Sequence, residues 1–233
     1  MTNTWADIWE LRASLYSVFA NILLEPIQLE NKAMLTREFW RDFPLEDANP
    51  QIKSGLEQLI ECGSKLEELS TEKSIETVMV EYTKLFIGPG VQKAPPWESF
   101  YRTNKRLFFG QPTYEMKEIL NKYGLESKKK GRQPEDHIGL ELLFISVLTE
   151  QLHKIELEKQ ISIIKEQITF IDNHLLTWIP ELCNDAKEHG GVGFYGGLIE
   201  LVWGTLLWDK ELLAEFVTSH EEANEGILLK SID

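Results

Sequence analysis

The sequence predicts an all-α protein, and three observations carry that reading. Apolar residues recur at three- and four-residue steps through most of the chain, the period of a helix that buries one face. No stretch alternates apolar and polar residues for long enough to make a half-buried strand, so no sheet is expected. Prolines and glycines fall between the periodic stretches, where helices must stop.

Trp5, Ile8, Trp9, Arg12, Leu15, Tyr16, Phe19, Ile22 and Leu23 share a helical period and make a long N-terminal helix that Pro26 closes. A second helix is expected over 30–41, before Pro44 and the Asp47-Ala48-Asn49-Pro50 turn. Leu56, Leu59, Ile60, Leu66 and Leu69 mark a third, weakened at Gly63 because glycine loses most freedom on entering a helix. Ser70 or Thr71 can cap a fourth, whose apolar side carries Ile75, Val78, Met79, Tyr82, Leu85 and Phe86.

From 88 to 103 the period stops at Gly88-Pro89-Gly90 and Pro95-Pro96, which predicts a long loop. Its aromatics argue for order. A short helix follows Pro112 and ends near Gly124. The lysine-rich stretch 124–133 reads as a linker, over one core or between halves 1–123 and 134–233. Pro134 is placed in the first turn of a helix over 135–158, with Glu135 and Asp136 suited to the positive end of its dipole. That helix is apolar on several faces, from Ile138 to Leu148, and is expected at the bundle centre. Two further helices are expected over 162–187, kinked or broken at Pro180, and over 194–217.

Bulk properties narrow the function. A chain of 233 residues can bury a sizeable core, as one large domain or two small ones. No apolar run approaches the roughly 20 residues needed to span a bilayer. The N-terminus lacks the basic start of a signal peptide, so a cytoplasmic protein is expected. With 24 basic and 38 acidic side chains the net charge is −14, which repels phosphate backbones and attracts basic partners. The basic cluster Lys128-Lys129-Lys130-Gly131-Arg132 reads as a solvated linker. Cys62 and Cys183 are too few and too far apart for a disulfide framework or a zinc site, and are expected to be small buried hydrophobes.

Several motifs fail on context. Gly191-Val192-Gly193-Phe194-Tyr195-Gly196 matches a dinucleotide fingerprint, but a helical segment rather than a strand precedes it. Its glycines are expected to cap one helix and admit close packing of the next. Glu150 and His153 have the spacing of a di-iron half-site without a second copy. His137 and Glu141, one helical turn apart, add two candidate ligands, so a small helical metalloenzyme using His137, Glu141, Glu150 and His153 stands as the alternative reading. No nucleophile elbow and no phosphate-binding loop is present.

What remains is a pair of segments, Ala94-Pro95-Pro96-Trp97-Glu98-Ser99-Phe100-Tyr101 and Pro134-Glu135-Asp136-His137. Trp97, Phe100 and Tyr101 offer large contact area with few rotatable bonds. Pro95 and Pro96 lower the ordering cost of binding. Asp136 can accept from a guanidinium, and His137 can donate, accept or switch with pH. The residues alone leave open a second use, in which the prolines and aromatics only pack the loop and Asp136 only starts a helix.

At these residues the sequence resembles the TorD/DmsD/NarJ family of redox-enzyme maturation chaperones. Three blocks carry the resemblance: Glu81-Tyr82-Thr83-Lys84-Leu85-Phe86 with the Pro95-to-Tyr101 run, Pro134 to Phe144, and Phe170 to Pro180 followed by Phe194-Tyr195. The resemblance implies a single helical domain over 1–233 with about nine to eleven helices and no sheet. It implies a cytoplasmic chaperone without catalysis, metal or cofactor. Its partner would be a molybdopterin oxidoreductase catalytic subunit, bound through its twin-arginine signal peptide or as the apo form until the cofactor is inserted. Carried onto this chain, peptide binding maps to Trp97, Glu98, Ser99, Tyr101, Asp136 and His137, with Tyr82 and Phe86 as floor residues. Asp136 is expected to pair with an arginine, alone or with Glu98 or Glu135. The resemblance also implies a monomer or a domain-swapped homodimer hinged at 124–133.

Overall fold

Ten α-helices, two 3-10 segments and two π turns make up the regular structure of the described residues, with one isolated antiparallel bridge and no sheet. The computed structural model describes residues 4–45, 48–88, 90, 92–103, 106–127 and 133–230, with side chains up to 222. The cluster Lys128 to Arg132, which is half of the 124–133 hinge, Asp47 of the expected turn and Pro89 lie outside the described residues.

Helix α1, Trp5–Leu24, starts at a capping box: the Thr4 hydroxyl accepts from the Asp7 amide, and the Asp7 carboxylate accepts from the Thr4 amide at 2.8 Å. The expected second helix is two pieces, a 3-10 segment Leu29–Leu35 and α2, Arg37–Arg41. Thr36 divides them because its extended backbone and its hydroxyl serve as the N-cap of α2. Helix α3, Pro50–Leu66, has Pro50 in its first turn and Asn49 as its cap. Helix α4, Thr71–Tyr82, is capped by Ser70 and runs into a π turn, Thr83–Ile87, that ends at Gly88 with φ +94°.

Helix α5, Glu98–Arg102, lies inside the expected loop, and α6, Gln111–Lys122, follows Gly110. Helix α7 is Ile138–Gln151, shorter at both ends than expected from periodicity. The expected 162–187 helix is two: α8, Leu157–Phe170, with a π turn Ile171–Leu175, and α9, Ile179–His189, with Pro180 in its first turn. Pro180 therefore begins a helix instead of kinking one. Helix α10, Phe194–Lys230, extends well past the expected end.

Helix α1 lies along α7, and α3 lies along α10. The second pair approaches backbone to backbone: a Cβ on Gly55 would sit 2.6 Å from the Leu201 amide nitrogen, and one on Gly204 2.5 Å from that of Ile52. Buried apolar residues from Trp9 to Val217 form one cluster that draws on both halves of the sequence. Cys62 and Cys183 are free thiols inside it, and burial pushes them up to about 12 and about 11.

Four helices meet at one buried charge. Arg12 of α1 donates to both carboxylate oxygens of Asp209 on α10, at 2.5 and 2.8 Å, to Thr149 of α7 at 3.1 Å and to Gln167 of α8 at 3.0 Å. Tyr16 donates to Asp209 at 2.7 Å, and burial together with that carboxylate holds the phenol well above its ordinary range. Burial opposes the Arg12 charge, but Asp209 outweighs it and keeps the guanidinium protonated.

The dinucleotide-like glycines have an internal occupant. Gly193 takes φ +90°, and the amides of Gly193 and Phe194 at the start of α10 donate to the Glu81 carboxylate at 3.2 and 3.3 Å. The anion site of that helix terminus is thus filled by a side chain of α4. Burial raises the pKa of Glu81, and the amides pull it only partly back.

Removing Asp209 leaves the Arg12 charge buried and unpaired. Asp209→Ala is expected to lower unfolding free energy by about 3–5 kcal/mol, read from urea denaturation midpoints.

Candidate functional site

The two marked segments are zipped together. Trp97 and His137 form the antiparallel bridge, in which the Glu98 amide donates to the Asp136 carbonyl and the Ile138 amide to the Pro96 carbonyl, both at 3.0 Å. Pro134 therefore does not start a helix; α7 begins only at Ile138, and His137, with extended backbone, is its N-cap, its Nδ1 accepting from the Gly139 amide at 3.0 Å. Accepting at Nδ1 leaves the ring proton to Nε2.

Asp136 is fully buried. One carboxylate oxygen accepts from the Ser99 amide and the other from the Thr113 hydroxyl, each at 2.6 Å. Helix α5 begins after Trp97, whose side chain has no oxygen to cap it, so Asp136 caps α5 from the neighbouring segment and ties α6 to it through Thr113. This corrects the expected role of Asp136: its carboxylate faces inward with both oxygens engaged and meets no solvent through which an arginine could reach it.

Glu98 is equally buried and binds Arg102 on one oxygen and His174 Nδ1, at 2.9 Å, on the other. The π turn after α8 brings His174 to this position, with its ring stacked on Phe170 at 4.9 Å. Glu141, one turn into α7, points at the same spot. Neither of its oxygens meets a donor, and Glu98 and Asp136 are its charged neighbours along with the more distant Arg102. Burial first, and Glu98 next, push its pKa well above the carboxylate range. Burial beside two other carboxyl groups thus disfavours the charged form of Glu141.

Above this polar layer lies an aromatic face. Trp97 meets the His137 ring at 5.3 Å and Phe108 at 5.4 Å, both edge-on. Phe100 stacks on Phe108 at 5.6 Å and meets Tyr101 edge-on at 5.2 Å. Tyr101 stacks on Trp178 at 5.4 Å and donates to Asp185 at 3.2 Å. Trp97, Phe100 and Tyr101 are half-buried, while Phe108 and its neighbours Leu107 and Phe109 are exposed. The buried Nε1 of Trp97 and the Ser99 hydroxyl have no hydrogen-bond partner among the described residues.

The sequence reading missed residues 106–109. Their signal was an apolar triple, Leu107-Phe108-Phe109, with no helical period and Gly110 after it. Tyr82 and Phe86 are buried, and their ring neighbours among the described residues are each other and Tyr195, at 5.1 to 5.4 Å. They lie in the core and touch none of the rings of the aromatic face.

The four residues of the metalloenzyme alternative are not brought together. His137 and Glu141 are buried at the start of α7, whereas Glu150 and His153 are exposed near its end. Nine residues of helix, roughly 13 Å, separate Glu141 from Glu150. Among the described residues no three His, Cys, Asp or Glu side chains are grouped to hold a metal ion. A cleft of about 380 Å³ opens beside the site between α6, α7 and α8, with Phe144, Phe170 and His174 in its lining and Glu166 joining Lys122 and Tyr123 at its rim. No described helix is long and apolar enough to cross a membrane.

Residues 45–184 match the family model described as nitrate reductase delta subunit. The chain is 26% identical over 210 residues to the chaperone protein TorD of Vibrio cholerae, covering 89% of this chain and 94% of that one. It is 25% identical over 227 residues to the TorD chaperone of a Psychrobacter species, covering 91% and 95%. A solved crystal structure from Archaeoglobus fulgidus, provisionally assigned to redox enzyme maturation, is 20% identical with a TM-score of 0.38, covering 70% of this chain and 98% of that one.

Two outcomes follow from the polar layer. Asp136→Ala strands the Ser99 amide and the Thr113 hydroxyl, so it is expected to cost about 2–3 kcal/mol and to speed amide exchange at Ser99. Glu141 has a raised pKa in the folded state, so its contribution is complete below the ordinary carboxylate range and is lost as pH climbs toward the raised value. Glu141→Gln, which carries no charge at any pH, is expected to flatten the fall in urea midpoint as pH rises above the ordinary carboxylate range.

Proposed function

The chain belongs to the nitrate reductase delta subunit family, the TorD/NarJ group of redox-enzyme maturation chaperones, and from that premise we propose that it is a chaperone for a molybdopterin-containing oxidoreductase. It binds the catalytic subunit, through a twin-arginine signal peptide or as the apo form, and releases it for assembly or export once the cofactor is in place. It works in the cytoplasm as one helical domain, without catalysis and without a cofactor of its own.

The observation that carries this reading is the aromatic face of Trp97, Phe100 and Tyr101 mounted on a buried, interlocked polar layer. Half-buried rings on a rigid base suit an apolar segment, because little is lost in ordering them on binding. The polar groups beneath are bonded to one another and leave no base poised on a nucleophile, which favours holding over chemistry. The net charge of −14 favours a basic ligand.

The mapped residues then divide by role. Trp97 and Tyr101 touch the peptide, and Glu98, Ser99, Asp136 and His137 set the angle and height of the wall that carries them. Tyr82 and Phe86 pack the core with Tyr195 and take no direct part in the wall.

Titration calorimetry of the intact protein with a twin-arginine signal peptide tests this. Trp97→Ala is expected to weaken binding by about 2 kcal/mol, roughly thirtyfold, and Asp136→Asn is expected to lower stability more than affinity. Absence of peptide binding, or full affinity in Trp97→Ala, would sink the reading.

A further inference from the structure

The aromatic face does not stop at the residues that the motifs mark. From Phe100 the ring contacts pass to Phe108 at 5.6 Å, and the chain around Phe108 turns outward. Phe108 is 40% exposed, Leu107 56% and Phe109 62%. The turn depends on left-handed backbone at two residues that are not glycine, Arg106 with φ 49° and Phe109 with φ 60°. Such backbone is costly for bulky residues. Here it holds three large apolar side chains in a row toward water, which burial energetics disfavours unless something covers them.

In the other direction from Phe100 the rings lead to Tyr101 and its hydrogen bond to Asp185. Glu181 stands one turn earlier on the same face of α9, exposed to solvent. The surface is thus acidic at the α9 end. At the other end the charge is balanced or basic: Arg102 is paired with Glu98 and lies 4.0 Å from Glu115, and Arg106 adds a further cation. Arg106 itself lies over the Phe100 ring at 5.5 Å.

We infer that Leu107, Phe108 and Phe109 form the docking surface for the apolar stretch of an arginine-bearing peptide whose arginines lie against Glu181 and Asp185. This rests on the peptide-binding reading above and gives the ligand a direction. Arg106 at the apolar end repels arginines, and the carboxylates at the α9 end attract them. Two ring contacts separate Tyr101 from Phe108, so an extended ligand crosses the gap in on the order of three residues. Arginines followed closely by an apolar run fit that spacing. A lipid surface fits less well, since the acidic face of α9 and the net charge of −14 oppose anionic headgroups.

The test uses the full chain and three synthetic peptides: arginine pair with apolar run, alanine pair with apolar run, and arginine pair with a Ser/Gly run. Leu107→Ser with Phe109→Asn removes the exposed apolar area, and asparagine tolerates the left-handed backbone. This double variant is expected to lose about tenfold or more in affinity for the first peptide, with no change for the third. Leu107→Ser alone, with a smaller loss, serves if the double variant melts early. Glu181→Gln with Asp185→Asn is expected to erase the preference for the arginine pair over the alanine pair. If the unaltered protein binds the first peptide and the Leu107/Phe109 variant binds it equally, this inference falls and the peptide reading stands. If the unaltered protein binds none of the three, the peptide reading itself falls. If the variant loses only co-sedimentation with phosphatidylglycerol vesicles, the loop is a membrane contact and the inference is overturned.

Discussion

The Arg12 guanidinium is a full charge taken out of water between four helices, and the rest of the bundle is arranged around satisfying it. An unpaired charge there would cost several kcal/mol, so Asp209, Thr149, Gln167 and, through Asp209, Tyr16 must all be present at once. Each lies on a different turn of α1, α7, α8 or α10, so one side chain sets the register of all four helices. The pair adds little net stability for its desolvation cost. Its physical weight is in excluding every other register.

That register carries through to the site. With α7 fixed at Thr149, Glu141 falls two turns earlier beneath α5. With α8 fixed at Gln167, the π turn that follows delivers His174 to Glu98. The site is layered as a result. Buried below are carboxyl groups that cap and pair, and above them are rings on the outer side. The polar residues hold the backbone of the two segments, and the apolar residues make up the half-exposed face. A wall held by Asp136 and Glu98 is already ordered before anything binds, which keeps the entropic cost of binding low.

Much of this was legible in the sequence. The long helices α1, α3, α4, α7 and α10 announce themselves by period, because each buries a broad stripe. The two segments of the site were legible as a set, since prolines and aromatics at loop–helix junctions have few other uses. Three things were not legible. Helix α5 is only Glu98–Arg102 and depends on a cap from Asp136, which local propensity cannot see. The start of α7 is set by the bridge between Trp97 and His137, so the acids before it stay outside the helix despite their good helix-start chemistry. The Gly191-to-Gly196 motif could be dismissed from its context, but the carboxylate that fills it, Glu81, lies more than a hundred residues away.

The sequence alone therefore determined the all-α class and the positions of the main helices, and marked two segments as unlike the rest, because periodicity and turn chemistry are local properties. Tertiary structure decided what those residues do. Whether Asp136 meets a ligand or caps a helix, whether Glu141 is charged or holds a proton, and whether Leu107 and Phe109 are core or surface all depend on burial and on partners distant in sequence. Those are properties of the packed chain, and no window of neighbouring residues contains them.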